Sequence, residues 1–423
     1  MRRRDWLLGT AALPLSSLPL TALARSLAAT PPGAAAAALG AGGGAGGGAT
    51  AGRVKRLVLV ELAGANDGLN TVVPWRDDDY RELRPTIGLT RGDLLDIDDG
   101  IGLNRALEPL LPMLQNGELA ILQGLGYPRP NRSHFASMAL WETGGDGEAG
   151  PGREGWLVHD IEHLAANREL VDPQGLSLDG PIGPFLSEGG RWLTAASVAQ
   201  LAALSVPGGA PRAAAGVLEA GVDSALARVA ARVGELDRAL GRLTDRLASA
   251  PAVERIGRSA LGRQLTEVVR FVAAGLETPV YRVRQTGYDT HVNQVNRHPR
   301  LLGDLGEALA GFRNAVLGLG EWQDTLVVTY SEFGRRAGEN RSNGTDHGTA
   351  APHLLLGGRL DPALAASPLR GDHPSLADLV DQDPVPTMDY RAVYERLLSD
   401  GLGVTDNRFA GWRDARLENL LSG

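Results

Sequence analysis

Five short apolar runs divide the chain, and most of them end in turns rich in glycine and polar residues. Leu57–Leu62 leads into Gly64-Ala65-Asn66-Asp67-Gly68. Leu119–Gln123 leads into a Gly-Leu-Gly-Tyr turn, and Val280–Val283 into Gly287-Tyr288-Asp289-Thr290-His291. Leu326–Tyr330 leads into Ser331-Glu332-Phe333-Gly334, and Leu354–Leu356 is the fifth run. Runs this short, bounded by turn signals, predict buried strands. Between them, apolar residues recur at helical spacing over Arg105–Gln115, His134–Trp141, Trp156–Ala166, Arg300–Leu319 and Tyr390–Leu398. Alternating strands and helices predict an α/β fold, with a mostly parallel central sheet and helices on both faces. In such sheets functional groups collect beyond the carboxyl ends of the strands.

Residues 213–276 break the alternation. Val217–Leu247 and Leu261–Leu276 show helical spacing on either side of Pro251, which predicts a helical hairpin inserted into the domain. It either covers the core or mediates self-association, and covering is the usual role of an amphipathic pair.

The first 52 residues read differently. Arg3, Arg4, Trp6 and Leu7, followed by an apolar stretch, resemble a twin-arginine export signal, assigned here to residues 1–27. Pro14 and Pro19 interrupt the stretch Leu7–Leu23, so it makes a poor membrane span. Residues 28–52 are almost entirely Ala, Gly, Thr and Pro, a tether too poor in large apolar side chains to fold. The folded domain is then 53–423. Its expected location is periplasmic or secreted, with the twin-arginine translocase as the partner during export and no stable membrane span in the mature chain.

Composition removes several function classes. The 423 residues contain no cysteine, which excludes disulfides, thiolate metal sites and a cysteine nucleophile. Net charge is −8, and no basic run offsets it, so bulk electrostatics disfavours nucleic acid as a partner.

The candidate chemistry lies in the turns after the strands. Asp67 stands on a glycine-rich turn, as a ligand or as an ordinary turn residue. Ser133, just before a predicted helix, is either a nucleophile or an N-cap. His134 diverges from Ser133, which argues against a serine–base pair, and no Gly-x-Ser-x-Gly elbow occurs. Asp289 and His291 occupy alternate positions of an extended segment and can converge on one metal. Glu332 is a further candidate ligand, and Arg335 with Arg336 can bind an anion. Asp346 and His347 offer oxygen and nitrogen donors. His159, His163, His298, His353 and His373 lack such a context and are read as structural.

The stretches ELAGANDGLNTVVP, NRSHFASMALWETG, GYDTHVNQ, LVVTYSEFGRR and NGTDHGTAAPHLLLGG, in this order, resemble domain of unknown function family 1501. That family is in turn similar to the alkaline phosphatase and sulfatase superfamily. The resemblance implies an α/β fold with a one- or two-metal hydrolytic site. It makes Ser133 the nucleophile, Asp67 a ligand after the first strand, Asp289 and His291 a ligand pair, and His347 the last histidine ligand. Two departures stand out: Glu332 replaces an aspartate and Phe333 replaces a ligand histidine. One ion would then be held by Asp67, Glu332 and Asp346, and the other by Asp289, His291 and His347. The expected cofactor is one or two divalent ions (Zn, Mn, Mg or Ca), and Arg335 is a candidate for holding a small anionic ester. Two functions follow: a metal-dependent hydrolase of phosphate or sulfate esters, or a non-catalytic exported protein that binds a ligand or partner on the same fold.

Overall fold

The computed structural model describes residues 56–165, 172–180, 182–187, 192–197, 200 and 241–422. The export signal, the tether and most of the first hairpin helix lie outside these residues. Twelve strands are described. β1 (Arg56–Ala63) is followed by a small antiparallel sheet of β2 (Val72–Val73), β3 (Leu94–Asp98) and β4 (Ile101–Asn104). The remainder are β5 (Leu119–Gly126), β6 (Gly175–Ser177), β7 (Trp192–Thr194), β8 (Val280–Thr286), β9 (Thr325–Tyr330), β10 (Ala351–Gly357), β11 (Leu369–Arg370) and β12 (Met388–Asp389). The α-helices are α1 (Asp78–Leu83), α2 (Leu111–Gln115), α3 (His134–Thr143), α4 (Val158–Ala165), α5 (Ala260–Ala273), α6 (Gln294–Gly318) and α7 (Tyr390–Arg396).

All five predicted runs are strands of one sheet, ordered β11-β5-β10-β9-β1-β8-β6-β7, with β12 also beside β5. The sheet is mostly parallel. Only β10 is reversed, pairing antiparallel with both β5 and β9. The alternation along β1 shows why both faces are covered. Val58, Val60 and Leu62 join the core formed with α5 and α6, while Leu57 and Leu59 join the core formed with Trp141, Tyr390 and Tyr394. Each such side chain, at 2% exposure or less, contributes about 1.5–3 kcal/mol by burial.

The helices depart from expectation where proline intervenes. Arg105–Gln115 splits into a 3-10 turn, Arg105–Leu110, and the short α2, because Pro109 and Pro112 lack the N–H a continuous helix needs. α6 starts at Gln294 rather than Arg300 and carries Pro299 inside it. The second hairpin helix is present as α5. The strands β6, β7, β11 and β12, and the small sheet, are too short to show a period in the sequence. Among the described residues, no helix is long and apolar enough to cross a membrane.

One buried charge cluster crosses the sheet. Glu61 on β1 faces Arg284 on β8, and Arg282 pairs with both Glu61 and Glu142. Burial pushes the Glu142 carboxyl up to about 7, against the pull of Arg282. The folded state therefore holds this proton where the unfolded chain, at about 4.5, has released it. Stability from this group is complete below about pH 4.5 and is lost as pH rises through about 7. Glu142→Gln should remove about 3 kcal/mol of that loss, so it should gain on the parent at pH 8 and not at pH 4.5. Urea midpoints at the two pH values check this, and an equal effect at both would refute it.

Candidate metal centre

The loops after β1, β8 and β9, three adjacent strands, meet at one end of the sheet, and the start of α3 joins them there. Two glycines permit this crowding. Gly64 has φ +112°, and a Cβ there would lie 2.5 Å from the Asp289 nitrogen. A Cβ on Gly344 would lie 2.3 Å from the His291 backbone, so glycine lets the 344–347 segment cross directly over that residue.

Four ligand-type side chains converge. His291 Nε2 and His347 Nε2 are 2.9 Å apart. Asp289 Oδ1 lies 3.0 Å from the first and 3.3 Å from the second. His134 Nε2 lies 3.7 Å from the same oxygen, is buried and has no hydrogen-bond partner. His134, Asp289 and His347 form a group able to hold a metal ion.

The far side of each ring is fixed. His347 Nδ1 donates to the Arg132 carbonyl at 2.9 Å. His291 Nδ1 faces Asp346 Oδ1 at 3.1 Å, and His134 Nδ1 faces Glu332 Oε1 at 2.5 Å. Each Nδ1 thus has an acceptor on the outer side of its ring, and the Nε2 atoms lie on the inner side. Two imidazole Nε2 atoms 2.9 Å apart require a proton or a cation between them. Carboxylates behind ligand histidines are the usual means of orienting such rings.

The local electrostatics follows the same geometry. Burial pushes the Asp289 carboxyl up, but Arg335, His291 and His347 overcome it and hold it below the usual range. Burial lowers His347, which favours the neutral ring a ligand requires. The bond to Glu332 raises His134 against the effect of burial, a preference that a bound cation would reverse.

Other expected site residues are placed differently. Glu332 and Asp346 stand behind the rings of His134 and His291 rather than beside Asp289 Oδ1. Asp67 is fully buried and accepts from Arg84 on both oxygens, at 2.6 and 3.0 Å, with Gln294 donating a third hydrogen bond. Arg335, expected to hold a substrate anion, is instead buried among backbone carbonyls. It donates to Ala65, Thr345, Gly64 and Tyr288 and to Asp289 Oδ1 at 2.7 Å. It therefore ties three loops together and aims Asp289. Phe333 is 2% exposed and packs on the rings of His134 and His347, at 5.0 and 4.9 Å between centroids.

Ser133 occupies the N-cap position of α3, is exposed, and makes no side-chain cap bond. Asn131 Oδ1 accepts from its backbone N–H at 2.8 Å. The hydroxyl is therefore not engaged as a helix cap. Sequence reasoning missed His134 as part of the cluster, because it weighed that ring only as a base for Ser133. Its place in the first turn of a helix that starts beside the strand ends was the available signal.

No curated protein matches the sequence. Among solved structures, the chain is similar to the integral membrane protein lipooligosaccharide phosphoethanolamine transferase A (EptA) from Neisseria meningitidis. The two are 11% identical with a TM-score of 0.40, and the match covers 88% of this chain. The chain spans only 58% of that protein's length. It is also similar to the PsFucS1 sulfatase from Pseudoalteromonas sp., at 10% identity and a TM-score of 0.36, covering 88% of this chain and 72% of that one. A third is the C-terminal periplasmic domain of EcEptC from Escherichia coli, solved in complex with Zn, at 10% identity and a TM-score of 0.32, covering 72% and 74%. Residues 228–398 match the family described as Protein of unknown function (DUF1501). The matched residues include Asp289, His291, Glu332, Asp346 and His347, whereas Asp67, Ser133 and His134 lie outside the match.

Proposed function

We propose that this chain is an exported, metal-dependent hydrolase of phosphate or sulfate esters. The observation that carries the reading is the convergence of His291 Nε2, His347 Nε2 and Asp289 Oδ1, with the unpartnered His134 Nε2 beside them. His134, Asp289, His291 and His347 would hold the ion. A donor set of three imidazoles and one carboxylate suits Zn²⁺, whereas Mg²⁺ and Ca²⁺ favour oxygen donors. The engagement of Asp67 with Arg84 and of Glu332 with His134 favours one ion over two.

When bound, the ion supplies a Lewis acid that offsets charge on the ester oxygens and lowers the pKa of an oxygen nucleophile. The protein supplies the remainder. Ser133 presents its hydroxyl at the start of α3, where free backbone N–H groups stabilise a developing negative charge. Glu332, Asp346 and the Arg132 carbonyl keep three rings in orientation. Arg335 keeps Asp289 ionised and aimed. The signal-like residues 1–27 support delivery by the twin-arginine route, which carries chains already folded.

The test is metal analysis of the chain purified from its native host, followed by a panel of phosphate and sulfate esters. About one zinc per chain is expected. Turnover should disappear on chelation and return with zinc. A chain with neither metal nor turnover would overturn the reading in favour of a non-catalytic binding protein.

A further inference from the structure

Asp383 lies between β11 and β12, far from the metal centre in sequence, yet its carboxylate faces two segments of that centre. The side chain is 3% exposed. Oδ2 accepts from Arg132 Nη2, while Oδ1 lies 3.7 Å from Arg336 Nε and carries no hydrogen bond. Arg132 is the residue whose carbonyl accepts from His347 Nδ1, and it stands two places before His134. Arg336 follows Arg335, which aims Asp289, and its N–H donates to the Asp346 carbonyl at 3.0 Å. Among the described residues, Asp383 is the one hydrogen-bond partner of the Arg132 guanidinium, whose Nε is buried and unpaired.

A tight turn, Val380–Asp383, delivers the carboxylate. The Asp383 N–H donates to the Val380 carbonyl at 2.9 Å and the Val380 N–H to the Asp383 carbonyl at 3.1 Å. Asp381 and Gln382, at its corners, have φ +52° and +71°. Neither is glycine, so the left-handed conformation is adopted against the sterics of Cβ. Contacts outside the turn hold it: the Ala337 N–H donates to the Gln382 carbonyl at 3.2 Å, and the Thr349 hydroxyl donates to the Pro384 carbonyl. The turn is thus seated on the segments that carry Arg335 and His347. Backbone strain kept in place by its surroundings collects where geometry matters to function.

We propose that Asp383 is a positioning residue of the metal centre. By holding the Arg132 guanidinium it fixes the Arg132 carbonyl, which in turn keeps the His347 ring with Nε2 on the inner side. The inference rests on the metal reading above and adds a residue that touches neither the ion nor an ester.

The full chain is compared with Asp383→Asn, which keeps the shape of the side chain and removes its charge. Competition with a chelator should show zinc affinity lower by at least about tenfold, the scale on which partners behind ligand histidines act. Arg132→Met should do the same. The double variant should be weaker than the weaker single by no more than about twofold, because both remove one contact. Arg132→Lys can still meet one carboxylate oxygen and should stay within about threefold of the parent. Arg313→Met is the control. It breaks the pair with Glu118, 2.8 Å apart and just before β5, at the opposite end of the sheet. It should lower the urea midpoint and move zinc affinity by no more than about twofold.

A second readout needs no metal. In the zinc-free parent at pH 8, nitrogen NMR of labelled histidine should find the His347 proton on Nδ1, because a carbonyl can only accept. Asp383→Asn should spread that proton over both ring nitrogens. Unchanged zinc affinity in Asp383→Asn, losses that add in the double variant, or a control that loses as much overturns the positioning role and leaves the metal reading standing. A parent that binds no zinc overturns the metal reading. The positioning role then stands if Asp383→Asn moves the Nδ1 proton, and falls if it does not.

Discussion

Ser133→Ala should keep its zinc and lose turnover by at least about 10³-fold, the scale on which removing a nucleophile acts. The expectation comes from position. A serine at an N-cap ordinarily turns its hydroxyl back onto the helix, and here it does not. It stands exposed, one residue before a ring of the metal centre. The positive end of α3 favours the charge an attacking oxygen carries. The comparison variant is His347→Ala, which should lose both the ion and turnover. Initial rates on an activated aryl phosphate and zinc content, measured on the same preparations, separate the two variants. If Ser133→Ala keeps more than about a tenth of the parent rate, a water molecule is the nucleophile and Ser133 is a bystander. If it loses zinc as well, the residue is part of the scaffold of the centre.

The parts legible in the sequence share a cause. A buried parallel strand must be apolar throughout, and the turn after it must be small or polar, so each site loop announced itself. Asp289, His291 and His347, which the structure brings together, lie in such loops. The division between ligand and support was not legible. Glu332 and Asp346 have the same chemistry as a ligand and occupy the same loops. Only the direction of His134 and His291 Nδ1 assigns them to the outer side of the rings. Arg335 misled for a related reason. An arginine after a strand looks the same whether it faces an anion or four carbonyl oxygens. Arg84 gave no signal at all. It closes a helix rich in charge, Asp78–Leu83, which reads as a solvated face. It is buried because the loops after β1 and β9 fold over it.

That burial sets the largest expected effect on stability. Arg84→Met should cost about 3–5 kcal/mol, because it leaves an unpaired carboxylate in the interior. Both side chains of the Arg84–Asp67 pair are fully buried. Burial opposes ionisation of Asp67, but Arg84 outweighs it and holds the carboxyl below its ordinary value. A depressed carboxyl contributes stability above the unfolded value, near pH 3.8, and loses it as pH falls through the folded value. Without Arg84 the effect of burial prevails, the carboxyl moves up, and stability is lost as pH rises instead. Denaturant midpoints at pH 5 and pH 7 should therefore show the variant weaker at pH 7. Adding Asp67→Asn removes the stranded charge and should recover at least about 2 kcal/mol of the loss, a coupling expected of partners in contact. A single-variant cost under about 1 kcal/mol, or strict additivity in the double variant, would refute the pair as a structural tie. The effect should reach the metal centre. Gln294 donates to Asp67 and accepts from Thr290 and Thr345, at 3.0 and 2.7 Å. Those threonines are neighbours of Asp289, His291 and Asp346, so loosening Asp67 frees the two loops that bring His291 and His347 together. Zinc affinity in Arg84→Met should fall along with stability, and Asp67→Asn should restore both.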